Sequence, residues 1–179
     1  DAADALLSRS GAALNELPRG AVVLAGSPRR RALLLAARGD LRVEGIRGNV
    51  PTRLAAFGAA LAAALVLACA GLQRLGLAGR ITQRLDPAVF APACGQGALA
   101  VQARADDART LRLIGGLDDE PTRLAVAAER AYLAALGGGC MLPAGAWARP
   151  GGDGSGALVI TAALASPDGA TVLRAERRG

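Results

Sequence analysis

The chain has 179 residues, 52% of them apolar, which excludes intrinsic disorder and supplies one or two compact cores; with only 2% aromatics those cores are built from Ala, Leu and Val. All of its positive charge is arginine, 21 residues against 15 acids for a net +6, and this predicts an anionic partner or a basic cleft, the planar guanidinium fork suiting carboxylate or phosphate. With no histidine there is no Ser-His-Asp or Cys-His pair and no histidine metal site; Cys69, Cys94 and Cys140 have neither zinc-ligand spacing nor a disulfide pattern, which points to a reducing cytoplasm.

In chain order, residues 1–20 read as a short helix and a polar connection closing at Pro18-Arg19-Gly20, and the acidic start Asp1-Ala2-Ala3-Asp4 is no secretory signal. Residues 21–25 are a continuous apolar run, the mark of a strand buried on both faces. Gly26-Ser27-Pro28-Arg29-Arg30-Arg31 follows, with Ser27 as N-cap and Pro28 as first helical residue. Arginines in a first turn oppose the helix dipole, so they read either as an anion site with the helix N-terminus or as a solvated basic face.

The pattern repeats. Residues 41–46 read as a strand, Arg47-Gly48-Asn49-Val50-Pro51-Thr52-Arg53 as the turn, and 54–60 as a helix. The charge-free run 54–72 is long enough to span a bilayer, but it is mostly alanine; a small-residue helix followed by a buried strand at 64–68 is the better reading. Arg74 follows that strand. Alternating strands and helices predict a parallel α/β sheet whose ligand lies beyond the carboxyl ends of the strands. Arg29, Arg30, Arg47, Arg53 and Arg74 all fall after strand ends, which predicts a cradle for several carboxylates or phosphates.

Beyond Asp86-Pro87, residues 98–103 read as another strand, and Asp106 and Asp107 cap a helix through Leu113. A longer helix, 122–136, starts at acids and Pro121 and stops at Gly137-Gly138-Gly139. Cys140 after those glycines is either an incidental small residue or an accessible thiol that a nearby arginine must activate. From Ala144 on, residues 144–148, 157–165 and 171–175 read as a small antiparallel meander.

The landmarks Asp4-Ala5-Leu6, Ser27-Pro28-Arg29-Arg30, Arg47-Gly48-Asn49-Val50-Pro51-Thr52-Arg53, Ala70-Gly71-Leu72-Gln73-Arg74-Leu75-Gly76, Gly95-Gln96-Gly97-Ala98, Arg104-Ala105-Asp106-Asp107, Ala128-Glu129-Arg130 and Gly138-Gly139-Cys140-Met141-Leu142-Pro143-Ala144-Gly145 run almost end to end. In order and spacing they resemble the porphobilinogen deaminase (hydroxymethylbilane synthase) family. The resemblance implies a periplasmic-binding-protein-like parallel-sheet domain at 1–97, a segment at 98–117 returning to a preceding domain, and a small α+β cofactor-attachment domain with an antiparallel sheet at 118–179. It implies a dipyrromethane cofactor on a thioether at Cys140, with Ser27, Arg29, Arg30, Arg47 and Gly48 around it and Arg53 and Arg74 on the substrate. It also implies condensation of four porphobilinogen molecules, with loss of ammonia, into hydroxymethylbilane for haem and other tetrapyrroles, by a monomeric cytoplasmic enzyme that binds no nucleic acid, membrane or metal.

The chain departs from the family pattern at Ala25, Gly26, Ala63 and Met141, and no position matches the family's catalytic aspartate. It is therefore expected to be a piece of the enzyme, without the N-terminal domain and the end of the third domain and inactive alone unless the first is supplied in trans. The alternative is a non-catalytic polypyrrole- or polyanion-binding module.

Overall fold

The computed structural model describes residues 1–139, 141–154 and 156–179. The elements run β1 (Asp4–Ser8), β2 (Val22–Leu24), α1 (Pro28–Ala37), β3 (Arg42–Glu44), α2 (Val50–Ala59), β4 (Ala64–Ala68), α3 (Cys69–Arg74), β5 (Gln83–Leu85), α4 (Ala108–Gly115), α5 (Glu120–Ala135), β6 (Ala144–Pro150), β7 (Leu158–Ala165) and β8 (Val172–Arg178). β1 to β5 form one sheet in the order β3-β2-β4-β1-β5. β2 is parallel to β3 and β4, whereas β1 is antiparallel to β4 and β5. The sheet is thus mixed rather than wholly parallel.

Side-chain alternation along the strands divides the core in two. Leu6, Val23, Ala64 and Val66 face one side, where Leu33 and Leu34 of α1 cover them. Ala5, Leu7, Leu24, Leu65 and Leu67 face the other, under Leu54 and Phe57 of α2 and Leu72 of α3. Ser27 and Asn49 cap α1 and α2, and a proline sits in the first turn of each, as their sequences require. The charge-free run 54–72 is shared among α2, β4 and α3, and among the described residues no helix is long and apolar enough to cross a membrane.

Two expectations are corrected. The helix expected within residues 1–20 is the strand β1, followed by a single 3-10 turn at Leu14–Glu16. Ala5-Leu6-Leu7 has good helix propensity, but pairing on both edges and burial on both faces outweigh it. The strand expected at 98–103 is absent: the segment has no regular structure, and Leu99 and Val101 stand 74% and 57% exposed. With no strand beside it among the described residues, its backbone groups join no ladder there.

The second sheet is antiparallel, in the order β6-β7-β8, with α5 packed on β6 and β7. The turn between β7 and β8 reaches across to the first sheet's helix layer. Gly169 at its tip has φ +73°, and a Cβ there would lie 2.5 Å from Ala32 O and 2.6 Å from Ala36 N, both backbone of α1. Glycine is what allows this contact.

Candidate functional site

Beyond the carboxyl ends of β2 and β3 lies an open cavity of about 610 Å³. Ser27, Pro28 and Arg31 line it from the start of α1, and Glu44, Ile46 and Arg47 from the end of β3 and the loop after it. Met141 and Pro167 approach from the second sheet's side. Two parallel strands diverging into a helix start and a loop make this opening, the usual ligand position in such sheets. Arg31 and Arg47 are exposed, and among the described residues neither has an acidic partner within ion-pair distance. Gly26 is needed beneath them: a Cβ there would meet Ile46 O at 2.3 Å and Arg53 Nη1 at 3.1 Å.

Behind the cavity, Arg29 and Arg30 are buried, and both turn to one carboxylate. Asp4, fully buried at the start of β1, accepts from Arg29 Nη1 at 2.9 Å, Arg30 Nε at 3.0 Å and Arg30 Nη2 at 2.7 Å. Gln96 Nε2 adds a bond of 2.9 Å, and Arg29 Nη1 also donates to Ala91 O at 2.7 Å. Burial alone would raise the Asp4 carboxyl pKa, but the two guanidinium groups outweigh it and hold it below the ordinary value. Burial pushes Arg29 down against the pull of Asp4, yet an arginine stays protonated. Two cations on one anion leave this buried cluster with a net charge of +1. Arg29 Nε, also buried, has no hydrogen-bond partner among the described residues.

The five arginines singled out in the sequence therefore do not form one cradle. Arg47 lines the cavity with Ser27, and Arg29 and Arg30 stand behind it as a pinned pair. Arg53 is half-buried and donates from Nε to Gly48 O at 2.7 Å, which holds the loop carrying Arg47. Gly48 has φ +103°, tight against Thr52. Arg74 is exposed in the last turn of α3 and does not line the cavity. Cys140 lies outside the described residues; its sequence neighbour Met141 lines the cavity. Sequence reasoning missed Asp4 as the partner of the arginine pair, Gln96 beside it, and Arg31. Nothing near Asp4 in the sequence signals the pair, because residue 4 on β1 meets residues 29 and 30 on α1 only through the tertiary fold.

Glu129 of α5 is buried and joins the two parts: Oε2 accepts from Gly95 N at 2.6 Å and Oε1 from Ala148 N at 2.9 Å. Burial raises its pKa despite these two donors. Another cavity, of about 640 Å³, lies between residues 97–101 and α5, with Asp118 and Asp119 beside Arg123 and Arg130 in its wall. Its mixed charges and distance from Ser27 and Arg47 set it apart from the arginine site. Among the described residues no group of acids and cysteines could hold a metal ion.

The residues present fit a ligand with several carboxylates. The cavity has guanidinium groups without acidic partners among the described residues, apolar walls at Pro28, Ile46 and Pro167, and behind it an excess positive charge with an N–H that has no acceptor among those residues. Fold and site thus define a mixed α/β unit with an arginine-lined cavity, joined to an α+β unit.

Comparison with known proteins gives the family. Residues 1–112 match the model described as porphobilinogen deaminase, dipyromethane cofactor binding domain, and residues 123–179 match porphobilinogen deaminase, C-terminal domain. Among curated relatives named porphobilinogen deaminase, that of Desulforudis audaxviator is 50% identical over 98% of this chain and 56% of its own length. That of Sorangium cellulosum is 49% identical over 99% of this chain and 58% of its own. That of Roseiflexus sp. is 46% identical over all of this chain and 58% of its own. The chain belongs to the porphobilinogen deaminase family and spans about half the length of the curated relatives it matches.

Proposed function

We propose that these residues form the carboxylate-binding cleft and cofactor-attachment region of a hydroxymethylbilane synthase, which condenses four porphobilinogen molecules with release of ammonia in cytoplasmic tetrapyrrole biosynthesis. One observation carries the reading: Ser27 and Arg47 share a cavity with Met141, the residue after Cys140. The residue that follows the expected thioether position in the sequence thus lines the same cavity as the proposed carboxylate grip. Dipyrromethane, when bound at Cys140, supplies the pyrrole α-carbon at which the chain grows. Arg47 and the Ser27 hydroxyl hold carboxylates, and the 47–49 loop is kept in place by Arg53. Arg29 and Arg30, pinned on Asp4, add positive potential from behind. Pro28, Ile46 and Pro167 exclude water from the flat face of a pyrrole ring. Arg53 and Arg74 are assigned to later carboxylates of the growing chain.

Among the described residues Glu44 is the only acid lining the cavity. Binding and cofactor attachment, rather than turnover, are therefore the properties assigned to these residues.

The same reading divides the chain into a cleft domain (1–97) resembling one lobe of a periplasmic binding protein, a connecting segment (98–117) and the cofactor-attachment domain (118–179). The connecting segment is assigned to packing against a neighbouring domain of a monomeric enzyme, an idea supported by Leu99, Leu113 and Leu117, exposed at 74%, 71% and 69%.

The test is the intact mass of the chain after incubation with porphobilinogen or preformed hydroxymethylbilane, beside Cys140→Ala. A dipyrrole adduct on wild type alone is expected. An unmodified mass in the folded wild-type chain refutes cofactor attachment and favours a polyanion-binding module.

A further inference from the structure

We propose that Arg31 is a carboxylate-binding residue of the cavity and, with Arg47, grips the two carboxylates of a single pyrrole unit; this rests on the function proposed above. Arg31 lies in the first turn of α1, one helical turn beyond the Ser27 cap. A cation there is disfavoured by the helix dipole unless an anion joins it. Among the described residues no acid compensates it: Glu44 lines the same cavity but makes no ion pair with it.

The side chain is nonetheless held. Arg31 Nη1 donates to Val43 O on β3, which fixes the guanidinium over the strand end. A guanidinium has five N–H donors, and this bond uses one, so the fork keeps donors for a ligand. Arg47 enters the cavity from the β3 side and Arg31 from the α1 side, and Ile46 and Pro28 add apolar wall to the same cavity. Two cations on different elements, with apolar wall in the same cavity, match a flat ring bearing acetate and propionate. A single guanidinium could hold only one of these bidentately.

A purely structural Arg31 would tie α1 to β3 and be indifferent to the ligand's carboxylate count. The test is therefore a comparison of dissociation constants, by titration calorimetry on the full chain, for porphobilinogen and for pyrrole-3-propionate, which carries one carboxylate. Wild type is expected to prefer porphobilinogen. Arg31→Gln, with its urea midpoint checked, is expected to weaken porphobilinogen about tenfold or more and to narrow the preference for it. Arg31→Lys should restore only part of the affinity, because it keeps charge without the fork. Glu44→Gln removes the opposing charge and should tighten binding.

Arg47→Gln separates the two levels of the argument. If wild type binds porphobilinogen and Arg47→Gln weakens it, while Arg31→Gln stays within twofold of wild type, the Arg31 proposal is overturned and the site stands. If wild type binds no porphobilinogen, both fall.

Discussion

Asp4→Asn is the sharpest perturbation of the arginine cluster. The carboxylate is fully buried and receives four hydrogen bonds of 2.7 to 3.0 Å from Arg29, Arg30 and Gln96. Asparagine keeps the shape and one acceptor but leaves two guanidinium groups, 3% and 8% exposed, with no counter-charge. Breaking a buried pair by removing one partner costs about 3–5 kcal/mol. With a urea m-value of about 2 kcal/mol/M, the unfolding midpoint should fall by roughly 2 M. The pH dependence has a definite sign. The folded-state pKa of Asp4 is depressed, so its stabilisation is complete above about pH 5 and is lost as pH falls through the folded value. Urea midpoints from pH 7 downward should converge for wild type and Asp4→Asn as the medium becomes acidic. A midpoint for Asp4→Asn within about 0.3 M of wild type at pH 7 would refute the claim that this carboxylate holds the two arginines.

Three further outcomes are expected. Gly169→Ala forces a Cβ against the α1 backbone at a positive φ, at a cost of about 2 kcal/mol or more; hydrogen exchange should speed up at Ser166–Thr171, and unchanged protection there would show that the turn is not docked. Glu129→Ala orphans the Gly95 and Ala148 N–H groups, about 1–3 kcal/mol each, and Glu129→Gln should recover less than half because its NH₂ faces one of the two donors; the urea midpoints of the two variants decide it. Arg9 caps the end of α2 by donating to Gly58, Ala60 and Ala62 carbonyls at 2.7 to 3.2 Å and lies 4.7 Å above the Phe57 ring; Arg9→Lys should lower stability by about 1 kcal/mol, and an equal midpoint would show that a point charge suffices.

Much of this architecture was legible where local chemistry and tertiary structure agree. Val22–Leu24 is apolar throughout because both faces of β2 are covered, and Ser27-Pro28 and Asn49-Val50-Pro51 start helices by capping. The meander was readable because its strands alternate and its turns carry glycine and Asp168. β1 was not, since Ala5-Leu6-Leu7 suits a helix equally well and only pairing with β4 and β5 decides. Residues 98–103 misled for the opposite reason: a short apolar run reads as a strand, and among the described residues no strand pairs with it. In the candidate site, Ser27 and Arg47 were readable from their place after strand ends. The turning of Arg29 and Arg30 toward Asp4 was not, because it depends on a contact 25 residues away along the chain.

That division among the arginines has a physical consequence for how the cavity meets an anion. Arg29 and Arg30 cannot swing outward without leaving Asp4 buried and unpaired, a penalty of several kcal/mol. On the proposed function, Arg47, exposed and without an acidic partner among the described residues, loses only side-chain entropy of about 1 kcal/mol when it closes on a ligand, and Arg31, already tied to Val43 O, loses less. This exposed pair then makes the first contact, with a geometry that Arg47 can adjust. The buried pair acts through its fixed net charge, which solvent ions screen weakly. On the proposed function, a site that holds successive carboxylated rings in changing positions needs both properties. A cradle of five equivalent mobile arginines would supply the grip without the permanent field, and five buried ones the field without the adaptability.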